Sequence, residues 1–224
     1  MRTPAVLAAL LLLASPARAD NASDIYRSMG LADKQVITGT VLTGKVFPGG
    51  DDREIAAVVT HFTGKKDEAD AVNVRLGIYR RDGERLVALY ERDLGKEAGG
   101  YVGRGDLQLV DLDGDGGNEI VLSWDDVRDP LIQVRKAEVI APEGGGGFRT
   151  VWSGPVAYDA TRAARGVPPE RRDRYTRDID IPATRRTRGV TLFLTRTTLA
   201  VAGERLPEPQ TSVETVPFRP PPPE

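Results

Sequence analysis

The stretch AVNVRLGIYRRDGERLVALYER, Ala71 to Arg92, decides the fold class. In its first half Val72, Val74, Leu76 and Ile78 alternate with Asn73, Arg75, Gly77 and Tyr79, and a period of two sends one set to a buried sheet face. RDGE, Arg81 to Glu84, interrupts the alternation and RLVALYER resumes it, so Asp82 and Gly83 read as the tight turn of a hairpin. Strands joined by so short a turn run antiparallel.

Similar runs continue on both sides: QVITGTVLTGKV, EIAAVVTHF, DLQLV, EIVLSW, LIQVRKAEVI, FRTVW, VTLFL and TTLAVA. Turn residues separate most of them, and PEGGGG, Pro142 to Gly147, is the clearest loop. No long amphipathic helical stretch lies between the runs, which argues against parallel βαβ units and for an all-β fold of antiparallel strands. One short N-terminal helix is expected, with Ser23 capping DIYRSMGL and Gly30 ending it.

The chain divides by composition. Residues 1–19 read as a secretory signal peptide: a basic start, MRTP, then the apolar AVLAALLLLA and the small-residue SPARA. That run is shorter than the roughly 20 residues needed to cross a bilayer, so no transmembrane segment is expected, and the mature chain is expected to be exported to the periplasm or beyond the cell. Cleavage after Ala19 removes Arg2 and Arg18, which takes the 31 basic residues to 29 against 33 acidic ones, a net charge of -4. Nucleic-acid binding needs the opposite balance and is not expected. Without cysteine there is no disulfide, no thiolate nucleophile and no lipid-modified cysteine. A β domain is expected over 20–160, an Arg- and Pro-rich loop or boundary over 161–188, a β-rich C-terminal part over 189–218 and an extended Pro-rich tail over 219–224.

The densest chemistry lies in VDLDGDGGNEIVLSWDD, Val110 to Asp126. Asp111, Asp113 and Asp115 are spaced so that a tightly turning backbone aims three carboxylates inward, and Gly114 and Gly116 permit the turn. Converging carboxylates repel one another unless they splay into water or hold a cation. Hard oxygen ligands without His or Cys favour Ca2+, because Mg2+ keeps more of its own water. The other reading is a solvated Asp/Gly turn; three spaced acids with a fourth beyond them exceed what such a turn requires. Acids at loop positions one, three and five with glycine at six also match an EF-hand, but Leu122 stands where the bidentate glutamate belongs and strands flank the loop.

DLDGDGGNEI instead resembles the calcium loop of FG-GAP and VCBS repeats, which form blades in the β-propeller head of integrin α chains and in exported bacterial proteins. The resemblance implies ligation by the side chains of Asp111, Asp113, Asp115 and Glu119 and by the carbonyl of Gly117. It also implies blade-like sheets, here an incomplete propeller or a sandwich, since so short a chain cannot hold the four to eight blades of a closed ring. A degenerate second copy is legible in VFPGGDDREIAAVV, where Glu54 and Ile55 precede Glu119 and Ile120 by 65 residues and Val46, Pro48 and Gly50 replace the three aspartates.

The remaining candidates are weaker. His61 is the only histidine and reads as a packed strand residue. Asp125 and Asp126, beside Trp124, form a carboxylate pair that suits a glycan hydrolase or a sugar site, against the commoner reading of a solvated strand end. Arg171, Arg172, Arg174, Arg185, Arg186 and Arg188 offer a polyanion or partner site, partly cancelled by Glu170, Asp173, Asp178 and Asp180. Asn21, Ala22 and Ser23 form a glycosylation sequon. No GxSxG, HExxH or P-loop pattern occurs. The expectation is a non-enzymatic exported module with one Ca2+, meeting a glycan or protein at the cell envelope.

Overall fold

The computed structural model describes residues 19–49, 54–63, 72–99, 101–161, 167–180 and 191–218. Residues 1–18 of the expected signal peptide, the tail beyond Phe218, Gly50, and Arg185, Arg186 and Arg188 lie outside them, as do the side chains of Asn21 and Asp180.

Among the described residues eleven antiparallel strands form two sheets. The first is a four-stranded meander: β1 (Val36–Gly44), β2 (Glu54–Phe62), β3 (Val72–Asp82) and β4 (Arg85–Asp93). The second runs β5 (Val102–Val110), β6 (Glu119–Asp126), β7 (Gln133–Pro142), β8 (Phe148–Asp159), β9 (Arg174–Asp180), β10 (Thr191–Val201) and β11 (Glu204–Pro217), each strand paired with the next. The all-β antiparallel class is as expected. The β3–β4 register pairs Asp82 with Arg85, which shifts the turn by one residue to Gly83–Glu84, and the positive φ of Gly83 (60°) suits the first position of a II′-type loop.

Alternation sets the layers. On β2, Ala56 and Val58 enter one core with Val74, Leu76 and Ile78 of β3 and with Leu107, Ile120, Leu122 and Trp124 of the second sheet. The other face of β2, Ile55, Ala57 and Val59, packs under Ile25, Met29 and Leu31 at the N-terminal helix. That helix, α1 (Ala19–Ser28), ends as expected: Gly30 takes φ 72°, Gly30 N–H donates to the Arg27 carbonyl (2.9 Å) and Leu31 N–H to that of Tyr26 (2.8 Å). It starts a turn earlier than Ser23, because nothing between Ala19 and Ala22 breaks a helix, and the Ser23 hydroxyl donates to Asp33 (3.2 Å) instead of capping. A second helix, α2 (Leu94–Glu97), follows β4 and is capped by Asp93, which accepts from Lys96 N–H (3.0 Å).

Two strand assignments differ from the sequence reading: VTLFL and TTLAVA form one strand, β10, and Arg174–Asp180 is a strand inside the segment that reads as a loop. Glu204–Pro217, within the part expected to be β-rich, pairs along β10. The charged β9 carries little apolar alternation, so its pairing with β10 over seven rungs stabilises it rather than its own pattern. Strands β8 and β9 share three rungs only, and beyond them β9–β11 splay away. Their Ile179, Leu192, Leu194 and Val216 close with Ala137, Val139 and Trp152 of β7 and β8 into one cluster. The result is an open stack, α1 on the first sheet, that sheet on β5–β8, and β9–β11 over the far face.

Candidate metal centre

The loop 111–118 joins the end of β5 to the start of β6, and its backbone is shaped by its own side chains. Asp111 Oδ1 accepts from Gly114 N–H (2.6 Å), Asp113 Oδ1 from Asp115 N–H (3.1 Å) and Asp115 Oδ1 from Gly117 N–H (2.9 Å). Such Asx bonds turn the chain tightly, and Gly114 (φ 74°) and Gly116 (φ 88°) supply the left-handed angles. In consequence one carboxylate oxygen from each of Asp111, Asp113 and Asp115 lies within 4.8 Å of the others. Asp113 is buried, Asp111 half-buried and Asp115 exposed.

Glu119 opens β6 and is 2% exposed. Its carboxylate stands outside the close trio, and Oε2 accepts from Leu112 N–H (2.7 Å). Burial pushes its carboxyl up to about 8; the Leu112 N–H opposes this, and the charges of Asp113, Asp115 and Asp111 add to it. Among the described residues no Lys or Arg forms an ion pair with it. Gly117 is buried against the 45–48 segment, where a Cβ would stand 2.8 Å from Pro48 and 3.0 Å from the Val46 carbonyl. Next to it Asn118 donates to the Lys45 carbonyl through both its backbone N–H (2.7 Å) and its side chain (2.6 Å). The acidic loop is thus clipped to the β1–β2 connection of the other sheet.

That connection carries the degenerate copy, and the parallel is specific. Glu54, fully buried, accepts from Phe47 N–H (3.0 Å) and Val46 N–H (2.7 Å). Phe47 precedes Glu54 by seven residues, as Leu112 precedes Glu119. What differs is the countercharge. Glu54 pairs with Arg80 on the neighbouring strand (2.5 Å), its register partner. At the corresponding place beside β6, one step beyond the Ile120–Ile140 rung, stands Ala141. The first unit brings its own cation; the second brings three further carboxylates.

The five residues expected at the site therefore share one loop, with the three aspartates together and Glu119 behind them. What the sequence did not reveal is the surrounding cleft of about 740 Å3, in which Phe47, Pro48, Glu143, Arg149 and Phe218 meet Asp113, Asp115 and Glu119. These come from the β1–β2 connection, the β7–β8 hairpin and the end of β11, and no spacing announces them.

The other candidates are placed elsewhere. His61 is 3% exposed, its Nδ1 lies 3.0 Å from the Phe62 carbonyl, and burial lowers its pKa, so it is a packed neutral side chain. Asp126 is held by Lys136 (2.7 Å) and Arg128 (3.0 Å), and Asp125 by Arg135 (3.0 Å). In the arginine-rich segment Arg172 donates to the Val167 carbonyl (2.8 Å) and Arg174 pairs with Asp159 (3.4 Å). No helix among the described residues is long and apolar enough to cross a membrane. Compared with family models, curated proteins and solved structures, the chain has no match.

Proposed function

We propose that this protein is an exported, non-enzymatic β module whose 111–119 loop binds one Ca2+, held by Asp111, Asp113, Asp115 and Glu119 with the Gly117 carbonyl, as the resemblance to FG-GAP and VCBS loops implies. The observation that carries the reading is the contrast between two like-built loops: Glu54 is paired with Arg80, whereas none of the described Lys or Arg residues pairs with Glu119, which has the charges of Asp111, Asp113 and Asp115 beside it. A divalent ion supplies the missing charge, and an all-oxygen donor set suits calcium. Bound there, it rigidifies a loop already bonded to Lys45 of the other sheet, so its role is to fix the junction of two sheets and through it a surface for a glycan or protein partner.

Isothermal titration of chelator-treated protein tests the ion. Uptake of one Ca2+ that is lost in Asp113→Ala with Asp115→Ala is expected; no heat at millimolar calcium, or uptake that survives the double substitution, overturns it. Export is tested by the mass of the mature chain, expected to begin at Asp20.

A further inference from the structure

At the other end of β6 from the acidic loop, Asp125 and Asp126 close the strand and the 127–132 turn leads into β7. There an open groove of about 670 Å3 is lined by Asp125, Asp126, Asp129, Asp159, Tyr158 and Tyr175, among others. One wall is aromatic and fixed. Tyr158 and Tyr175 are cross-strand partners whose rings stack at 5.4 Å and 12°. The Arg196 guanidinium lies 3.9 Å from the centre of the Tyr175 ring, and the Tyr158 hydroxyl donates to the Arg171 carbonyl (3.0 Å). In the turn at the groove's end, Val127 and Leu131 are 51% and 49% exposed, an apolar edge that the fold does not cover.

The polar wall is largely paired. Arg135 meets Asp125 and Arg174 meets Asp159 within the lining, Arg128 and Lys136 reach Asp126 from beside it, and Asp129 accepts from Leu131 N–H (2.9 Å), so three of the four carboxylates are seated on cations. Burial acts to raise the Asp126 carboxyl, but hydrogen bonds from Lys136 and from Arg128 hold it below the usual carboxylate range. An acid so held is a fixed acceptor, not a proton donor. That argues for binding rather than for acid-catalysed hydrolysis.

We propose that this groove binds a neutral oligosaccharide. A sugar presents hydroxyls, which are donors and acceptors at once, and C–H faces, which are apolar. Ionised carboxylates and guanidinium forks held in place give such hydroxyls charge-assisted bonds, and Tyr158, whose ring is backed by Tyr175, meets the C–H faces together with Val127. A polyanion would face four carboxylates, and a polycation would find three of them already paired with the protein's own cations, so the groove favours an uncharged ligand. The volume lies within the roughly 300–1,000 Å3 of small-ligand sites, which fits a short oligomer.

The test is titration of the full chain with cello-, malto- and chito-oligosaccharides, with oligogalacturonate as the anionic control, followed by backbone amide shifts. One neutral series is expected to move amides of residues 125–135, 157–159 and 174–176, with affinity falling about tenfold in Tyr175→Ala and in Arg174→Ala. The Arg174 side chain is 56% exposed, so that variant keeps the test decisive if Tyr175→Ala does not fold. The proposal is overturned if no neutral series moves these amides at millimolar sugar, if the response is unchanged in the folded variants, or if oligogalacturonate binds the same residues more tightly.

Discussion

The two buried glutamates, Glu54 and Glu119, solve the same problem by different means. A carboxylate under a sheet must be protonated, paired or metal-bound. Glu119 in the ion-free chain takes the first course. Its carboxyl titrates near 8 in the fold against 4.5 when unconstrained, so between those values the folded chain keeps a proton that the unfolded chain has released. Stability is then complete below the lower value and is lost as pH rises toward the upper one. Calcium at the proposed site would hold the ionised form and remove that loss. In chelator the melting temperature should fall from about pH 5 to about pH 8, and millimolar calcium or Glu119→Gln should flatten the slope. A chelated melting temperature that rises across this window would contradict the assignment. Glu54 takes the second course. Arg80→Met leaves it buried without its cation and should cost about 2–3 kcal/mol in urea unfolding, at the low end for a buried pair because the guanidinium is 47% exposed. Adding Glu54→Gln to Arg80→Met should recover part of that loss.

Single elements differ in how far local chemistry dictates them. The β3–β4 hairpin is encoded by alternation and Gly83, and the α1 stop by Gly30, so both are readable residue by residue. The β10–β11 hairpin is encoded less well. Val201 pairs with Glu204, leaving Ala202 and Gly203 as a two-residue loop with both φ angles positive, 52° and 86°, as a type I′ turn requires. Alanine is strained in that region, and asparagine is not. Ala202→Asn should therefore stabilise the protein by about 1 kcal/mol, seen as a higher urea midpoint at unchanged slope. An unchanged or lower midpoint would mean that the turn relaxes in solution. Strand β9 illustrates the opposite limit, since its pairing comes from β10 and from three rungs of β8, neither near in sequence. Arg177 lies over Trp152 (5.7 Å), so an arginine of the segment that reads as a charged loop serves as cover for an aromatic ring, as Arg196 of β10 does for Tyr175.

Over the whole molecule, the acidic loop is placed by how the layers meet. The first sheet approaches β5 so closely that a Cβ on Gly105 would stand 2.6 Å from Val74 and 3.0 Å from Val58, while Gly105 N–H donates to Thr60 across the interface (3.0 Å). Gly105→Ala should push the sheets apart at a cost of about 1–3 kcal/mol and weaken calcium uptake, because the acidic loop is bonded to Lys45 on the other side of that junction. Destabilisation with calcium affinity unchanged would show that the loop is set by its own hydrogen bonds alone. A second tie between the layers is Arg92, which bridges Glu97 and Glu138 (2.5 Å to the latter) and was not legible beforehand. The sequence by itself determined the strand class, the antiparallel hairpins and the carboxylate-rich turn, because alternation, glycine angles and Asx bonds act within a few residues. Only the tertiary structure decided that β9–β11 fold over β5–β8, that Arg80 neutralises one glutamate while none of the described cations pairs with the other, and that Tyr158, Tyr175 and four aspartates share a groove. Those depend on side chains tens of residues apart meeting across packed layers, which no local period records.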